Sequence, residues 1–168
     1  SEGRSWSIDG TRYGESLELS QQDTLVLLVN ERYKIPENLY IDHNVFQLAS
    51  NNMIAPDIRI YSAEGSTPTL RVQFYTQEEK PVYDNMDFNW NYKNDTLRFD
   101  NYIKLAGQWR AQRVTLTLYL PENKKVLLPS QTSQYLRNLR DFDRGVRSRL
   151  NKDKILLIMQ DGKLQPLM

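Results

Sequence analysis

The sequence predicts an all-β domain of two packed sheets, either a β-sandwich or a short β-roll, with one late helix near 133–150. Three observations lead there. Apolar and polar residues alternate with a period of two in segment after segment, which is the signature of half-buried strands. Gly, Pro, Asn and Asp clusters separate those segments as turns do. Only one stretch, from Ser133 to Leu150, carries apolar residues at the three- and four-residue spacing of a helix.

The elements follow in order. Ser16 to Ser20 alternates strictly, and Leu25 to Val29 is a continuous apolar run whose length suits a strand buried on both faces. Pro36-Glu37-Asn38 breaks the chain before Leu39-Tyr40-Ile41. Asp57 to Tyr61 alternates again. In Thr69 to Thr76, Leu70, Val72 and Phe74 share one face, and Arg71, Gln73 and Tyr75 share the other. Gln77 to Asp87 is acidic and poor in apolar residues, as a loop or a single helical turn would be. Phe88 to Tyr92 alternates aromatics with Asn, and Asp95 to Phe99 follows. Gln112 to Leu120 is the strongest strand: Val114, Leu116, Leu118 and Leu120 face one way, Thr115, Thr117 and Tyr119 the other. β-Branched Thr suits the extended backbone.

Pro121-Glu122-Asn123 turns the chain into Lys124 to Leu128, as a hairpin-like corner. In the helical stretch, Tyr135, Leu136, Leu139, Phe142, Val146 and Leu150 define the apolar side, although Gly145 weakens it. Ile155 to Met159 reads as a last buried strand before an Asp161-Gly162 turn. The predicted core is Leu25, Leu27, Leu70, Val72, Phe74, Val114, Leu116, Leu118, Leu120, Leu156 and Ile158. Two phrases recur, Asp-Thr-Leu at 23–25 and 95–97 and Pro-Glu-Asn at 36–38 and 121–123. Their separations differ, so a strict repeat is not supported, while a loose duplication of one β unit stays open. No linker is visible, and residues 1–168 read as a single domain.

Composition narrows the function. Lys and Arg number 22 and Asp and Glu 21, a net charge of +1, which argues against a nucleic-acid binder. There is no Cys, so disulfides, thiolate metal sites and Cys nucleophiles are excluded. The single His43 lies between Asp42 and Asn44; neighbouring side chains on an extended chain point apart, so the sequence reads as a surface histidine rather than a His–Asp base. Glu78-Glu79 and Asp84/Asp87 lack calcium-loop spacing, and no phosphate-binding Gly loop or hydrolase elbow occurs. No catalytic residue, metal ligand or cofactor site is expected.

No apolar run approaches the roughly 18–20 residues that cross a bilayer, and Ser1-Glu2-Gly3-Arg4 is polar. The expectation is a segment of a longer, membrane-anchored protein, with membrane contact through a segment outside this chain.

Two groups are candidate binding residues. Arg137, Arg140, Arg144 and Arg147 fall in a stretch, 137–154, with seven basic and three acidic residues. They form either a solvated helix face or a surface for an acidic partner. Trp90, Tyr92 and Trp109 lie within an aromatic-rich stretch and are either sheet core or a platform for a glycan. The surrounding segment 77–101 has six acidic and three basic residues, which disfavours stacking on nucleic acid.

The run Asn94-Asp95-Thr96-Leu97-Arg98-Phe99-Asp100-Asn101-Tyr102, the string from Trp109 to Pro121 with its Trp-Arg-x-Gln-x-Val spacing, and the ending Ile158-Met159-Gln160-Asp161-Gly162-Lys163-Leu164 together resemble a known region. It is the C-terminal extramembrane region of Bacteroidetes-type phage-shock-protein C (PspC) domain proteins, itself similar in style to adhesin domains of the head-GIN autotransporter type. The resemblance implies a β-rich, adhesin-like module facing the periplasm, tethered to the inner membrane and associated with envelope stress. It implies a protein partner in the cell envelope and assigns no catalytic residue. The function expected is therefore a non-catalytic interaction or sensor module. The alternative is a carbohydrate-binding or adhesin module that uses exposed aromatics.

Overall fold

The structure is a computed structural model that describes residues 7–9, 12–21, 24–34, 52–76, 86–107 and 111–167. Its strands are β1 (Ser7–Asp9), β2 (Arg12–Glu18), β3 (Leu25–Asn30), β4 (Met53–Ile54), β5 (Asp57–Ser62), β6 (Thr69–Tyr75), β7 (Met86–Asp87) and β8 (Trp90–Lys93). Then come β9 (Thr96–Asp100), β10 (Ile103–Leu105), β11 (Arg113–Leu120), β12 (Lys125–Leu128), β13 (Leu136–Asn138), β14 (Ile155–Gln160) and β15 (Lys163–Pro166). One α-helix, α1, spans Val146–Arg149.

Two six-stranded sheets carry the fold, in the orders β1-β2-β6-β11-β5-β13 and β15-β14-β12-β3-β9-β8, beside a small β4-β10-β7 sheet. The centre of each large sheet is parallel. In the first, β5 runs parallel to both β11 and β13; in the second, β3 runs parallel to both β9 and β12. The chain passes from the second sheet to the first between β9 and β11, β3 and β5, and β12 and β13, in matching spatial order. That is the winding of a short roll, with antiparallel strands laid on its outer edges. One hydrophobic cluster takes Leu27, Leu97 and Phe99 from one sheet and Ile58, Leu116 and Leu118 from the other. Burying each such side chain contributes roughly 1.5–3 kcal/mol.

The all-β expectation holds, and its strands lie close to where the alternation put them. The predicted core residues are buried with one exception. On β14 it is Ile155, Leu157 and Met159 that enter the main cluster, while Leu156 is half-buried on the other side and Ile158 is buried outside that cluster. On β3, Leu25 and Leu27 are buried and Val26, Leu28 and Val29 only half-buried.

Two expectations change. The helix near 133–150 is confined to the single turn of α1, preceded by a 3-10 turn at Thr132–Gln134 and by strand β13. Tyr135, Leu136, Phe142, Val146 and Leu150 are all buried, but they enter the core from several short elements: the 3-10 turn, β13, the loop at Phe142, and α1 with its C-cap. Their spacing mimics a helix because successive short elements each contribute one or two anchors. The Pro121 corner is not a hairpin, since β11 and β12 belong to different sheets. Leu25 and Leu97, the last residues of the two Asp-Thr-Leu phrases, lie in adjacent parallel strands, where the partner of Leu97 is Leu27. Leu39 to Ile41, the first Pro-Glu-Asn and His43 lie outside the described residues.

Two hairpins use left-handed turns. Asp161 and Gly162 (φ 54° and 74°) join β14 to β15, and Asn94 and Asp95 (φ 51° and 56°) join β8 to β9. Positive φ at both central residues matches the right-handed twist of the flanking strands.

Candidate functional site

Alternation fixes what the outer face of the first sheet displays. Because Ile58 and Ile60 point into the core, Asp57, Arg59 and Tyr61 point away from it. By the same parity β11 presents Arg113, Thr115, Thr117 and Tyr119, and β6 presents Arg71, Gln73 and Tyr75. Strand register sets the rows: Asp57 beside Thr115 beside Gln73, and Arg59 beside Thr117 beside Arg71. On the neighbouring edge strand, Arg137 shares the face, since its neighbour Leu136 is buried. The face is thus lined by Arg, Tyr, Thr and Gln, with Glu18 in an outlying row opposite Thr69.

Asp57 is the acid at its centre, with a side chain only 5% exposed. Arg137 Nε stands 2.7 Å from Asp57 Oδ1, and Arg59 Nη2 stands 3.9 Å from Oδ2. The Arg137–Asp57 contact is an ion pair out of line for a hydrogen bond. Asp57 Oδ1, Arg59 Nε, and Arg137 Nε and Nη2 are all buried without a hydrogen-bond partner. Arg137 Nη1 donates to the Gln134 carbonyl at 3.1 Å. Burial pushes the Asp57 carboxyl above its ordinary pKa, and Arg137, Arg59 and Arg113 pull it back only in part.

The Arg113 guanidinium lies over the Tyr75 ring, 4.5 Å from its centroid. A cleft of about 100 Å³ opens between Arg59, Arg113, Gln73, Tyr75 and Thr115. Further along the face Tyr61 and Tyr119 stack with centroids 5.7 Å apart, and Arg140 lies 5.6 Å from the Tyr61 centroid.

A second ionic cluster is architectural. Arg32 donates to both oxygens of Asp87 at 2.8 and 2.9 Å and to Asp100 Oδ2 at 3.0 Å. Tyr33 Oη donates to Asp87 Oδ2 at 2.8 Å, and the Asn89 N–H donates to Asp100. These bonds tie the segment after β3 to β7 and to the end of β9. The Arg32 bonds hold the Asp87 carboxyl below its usual range; burial and Asp87 push the Tyr33 hydroxyl up to about 12.

The four predicted arginines do not share a helix face. Arg137 and Arg140 belong to the sheet face just described, while Arg144 and Arg147 are exposed at and before α1. Trp90 and Tyr92 are half-buried and pack against the main core. Tyr92 Oη donates to Asp95 Oδ1 and accepts from the Ser20 N–H, which fixes the ring in the sheet. Trp109, Glu78, Glu79 and Asp84 lie outside the described residues. Sequence reasoning passed over Asp57, Arg59 and Arg113. Their signal was present, because once a strand's core face is known its other positions are the display surface.

The family model described as ToastRack found in some PspC matches residues 57–166. The chain belongs to that ToastRack family. The matched span begins with β5 and ends with β15, so the ToastRack match includes every strand of the arginine face except the edge strands β1 and β2. It leaves out β3, which in this ToastRack protein fills the middle of the second sheet between β12 and β9. Comparison with curated proteins and with solved structures gives no match. Among the described residues of the ToastRack chain no helix is long and apolar enough to cross a membrane.

Proposed function

We propose that this ToastRack domain is a non-catalytic interaction module of a Bacteroidetes-type, membrane-tethered PspC protein, facing the periplasm and engaging an acidic envelope protein in the stress response. The tether in this reading is a segment outside the chain. One observation carries the proposal. Three guanidinium groups, those of Arg59, Arg113 and Arg137, lie around the buried carboxylate of Asp57 on a face that also displays Arg71 among Thr, Gln and Tyr. One carboxylate cannot neutralise three arginines, so the face keeps a positive field. Arg and Tyr are also the side chains that anchor protein interfaces.

Capture from envelope extracts tests this. The Arg59→Glu/Arg113→Glu domain should lose partners that the native domain retains at low salt. Arg98→Glu, exposed on the opposite sheet, should keep them. Identical captures by all three proteins would end the reading.

A further inference from the structure

We propose that the cleft between Arg59 and Arg113 receives one carboxylate of the acidic partner, an Asp or Glu side chain, and is the anchor point of the interface. This deepens the reading above and rests on it.

The floor of the cleft is Thr115 and Gln73, neighbours across β11 and β6. Its rims are cationic, Arg113 over Tyr75 on one side and Arg59 on the other. At about 100 Å³ it is far smaller than the roughly 300–1,000 Å³ of pockets that enclose whole small molecules. It has room for one compact polar group. The guanidinium fork matches a planar carboxylate with two parallel N–H donors.

Both forks have capacity to spare. The Arg59 side chain is 40% exposed and reaches Asp57 only through Nη2, at 3.9 Å. Its guanidinium therefore keeps N–H donors for an acceptor that enters from solvent. A cation–π contact, with the guanidinium carbon 4.5 Å from the Tyr75 ring centroid, holds Arg113 at the rim of the cleft. Among the described residues no carboxylate lies within ion-pair distance of Arg113. The Thr115 hydroxyl and the Gln73 amide supply neutral hydrogen bonds to the second carboxylate oxygen.

Nuclear magnetic resonance of the arginine Nε–H groups in the full chain tests the cleft directly. The probes are a short alternating Glu-Ala peptide, acetate and inorganic phosphate. With the peptide, the Arg59 and Arg113 signals should shift saturably while Arg98 stays fixed. Arg113→Gln should weaken peptide binding at least tenfold with unchanged thermal unfolding. Arg113→Lys should restore only part of it, because an ammonium has no fork. Unmoved Arg59 and Arg113 signals, equal peptide affinity in Arg113→Gln, or tighter binding of phosphate than of peptide would each overturn the proposal. The two readings also fail separately. Shifts at the cleft together with an extract capture indifferent to charge reversal retain the carboxylate site and remove its role as partner anchor. A capture that depends on those charges together with a silent cleft retains the interface and removes the site.

Discussion

Asp57 and Arg137 face each other from parallel strands β5 and β13, with Oδ1 and Nε 2.7 Å apart and both side chains largely out of water. The two partners are unequal. Arg137 is 14% exposed and also bonds the Gln134 carbonyl, whereas Asp57 is 5% exposed and has Oδ1 unbonded. Removing Arg137 leaves a buried carboxylate with only the more distant Arg59 and Arg113, whereas removing the charge on Asp57 leaves a guanidinium that keeps its bond to the Gln134 carbonyl.

Arg137→Met should therefore destabilise the domain by about 3–5 kcal/mol, the usual loss when one member of a buried pair is deleted. Asp57→Asn should cost less than about 1 kcal/mol, and Asp57→Asn added to Arg137→Met should recover most of the loss. Denaturant unfolding of the four proteins measures this cycle. A larger loss for Asp57→Asn than for Arg137→Met would contradict the assignment.

The same pair gives a pH signature. Because the folded Asp57 pKa is raised, this group's contribution to stability is fully present below its ordinary value of 3.8 and is lost as pH climbs to the folded value. Asp87 has the opposite sign: its folded pKa is lowered, so its contribution is present above 3.8 and is lost as pH falls toward the folded value. In acid, stability should accordingly rise more steeply with pH in Asp57→Asn than in the native protein, and less steeply in Asp87→Asn. Thermal unfolding between pH 3 and 6 distinguishes the two; slopes that move together would refute it.

Arg32 holds two acids of different exposure, Asp87 at 49% and Asp100 at 3%. Arg32→Ala should cost about 3 kcal/mol because it leaves Asp100 buried without its cation. Asp87→Ala should cost at most about 1 kcal/mol, as for an exposed ion pair. Equal losses would show that Asp100 draws its compensation elsewhere.

Much of the fold was legible because the period-two pattern is local and nearly every strand obeys it. Leu116 and Leu118, assigned to the core from alternation alone, are completely buried. The late helix was over-extended for a physical reason. Tyr135, Phe142 and Val146 are anchors of separate short elements, and residue spacing cannot distinguish successive anchors from one amphipathic face. The parallel pairing of β3 with β9 and β12 links residues about seventy to a hundred positions apart, and no local pattern encodes such pairing. The candidate site was half legible: Arg137 and Arg140 were named, but Asp57, Arg59 and Arg113 come together only through the equally long-range pairing of β5 with β11.

The central place of β3 yields a further expectation. A fragment beginning at Asn52 retains the whole family-matched stretch but lacks the strand between β12 and β9. It exposes the edges of β12 and β9 that β3 covered, the edge of β6 that β2 covered, and the apolar side chains that faced Leu25 and Leu27. Such a fragment should be insoluble or unfolded by circular dichroism. A cooperative melt like that of the full chain would show β3 to be dispensable.

On the proposed function, the outer face of the β5–β11–β6 region is where this domain meets its acidic partner. Photo-crosslinking in intact cells is the sharpest test, with benzoylphenylalanine placed at Tyr119 on that face, outside the cleft, or at Asn91 on the edge strand of the other sheet. Position 119 should give an adduct joined to an acidic segment of another envelope protein and abolished by Arg59→Gln/Arg113→Gln. Adducts from position 91 alone, or an adduct at 119 unaffected by losing both arginines, would show that the interface lies elsewhere.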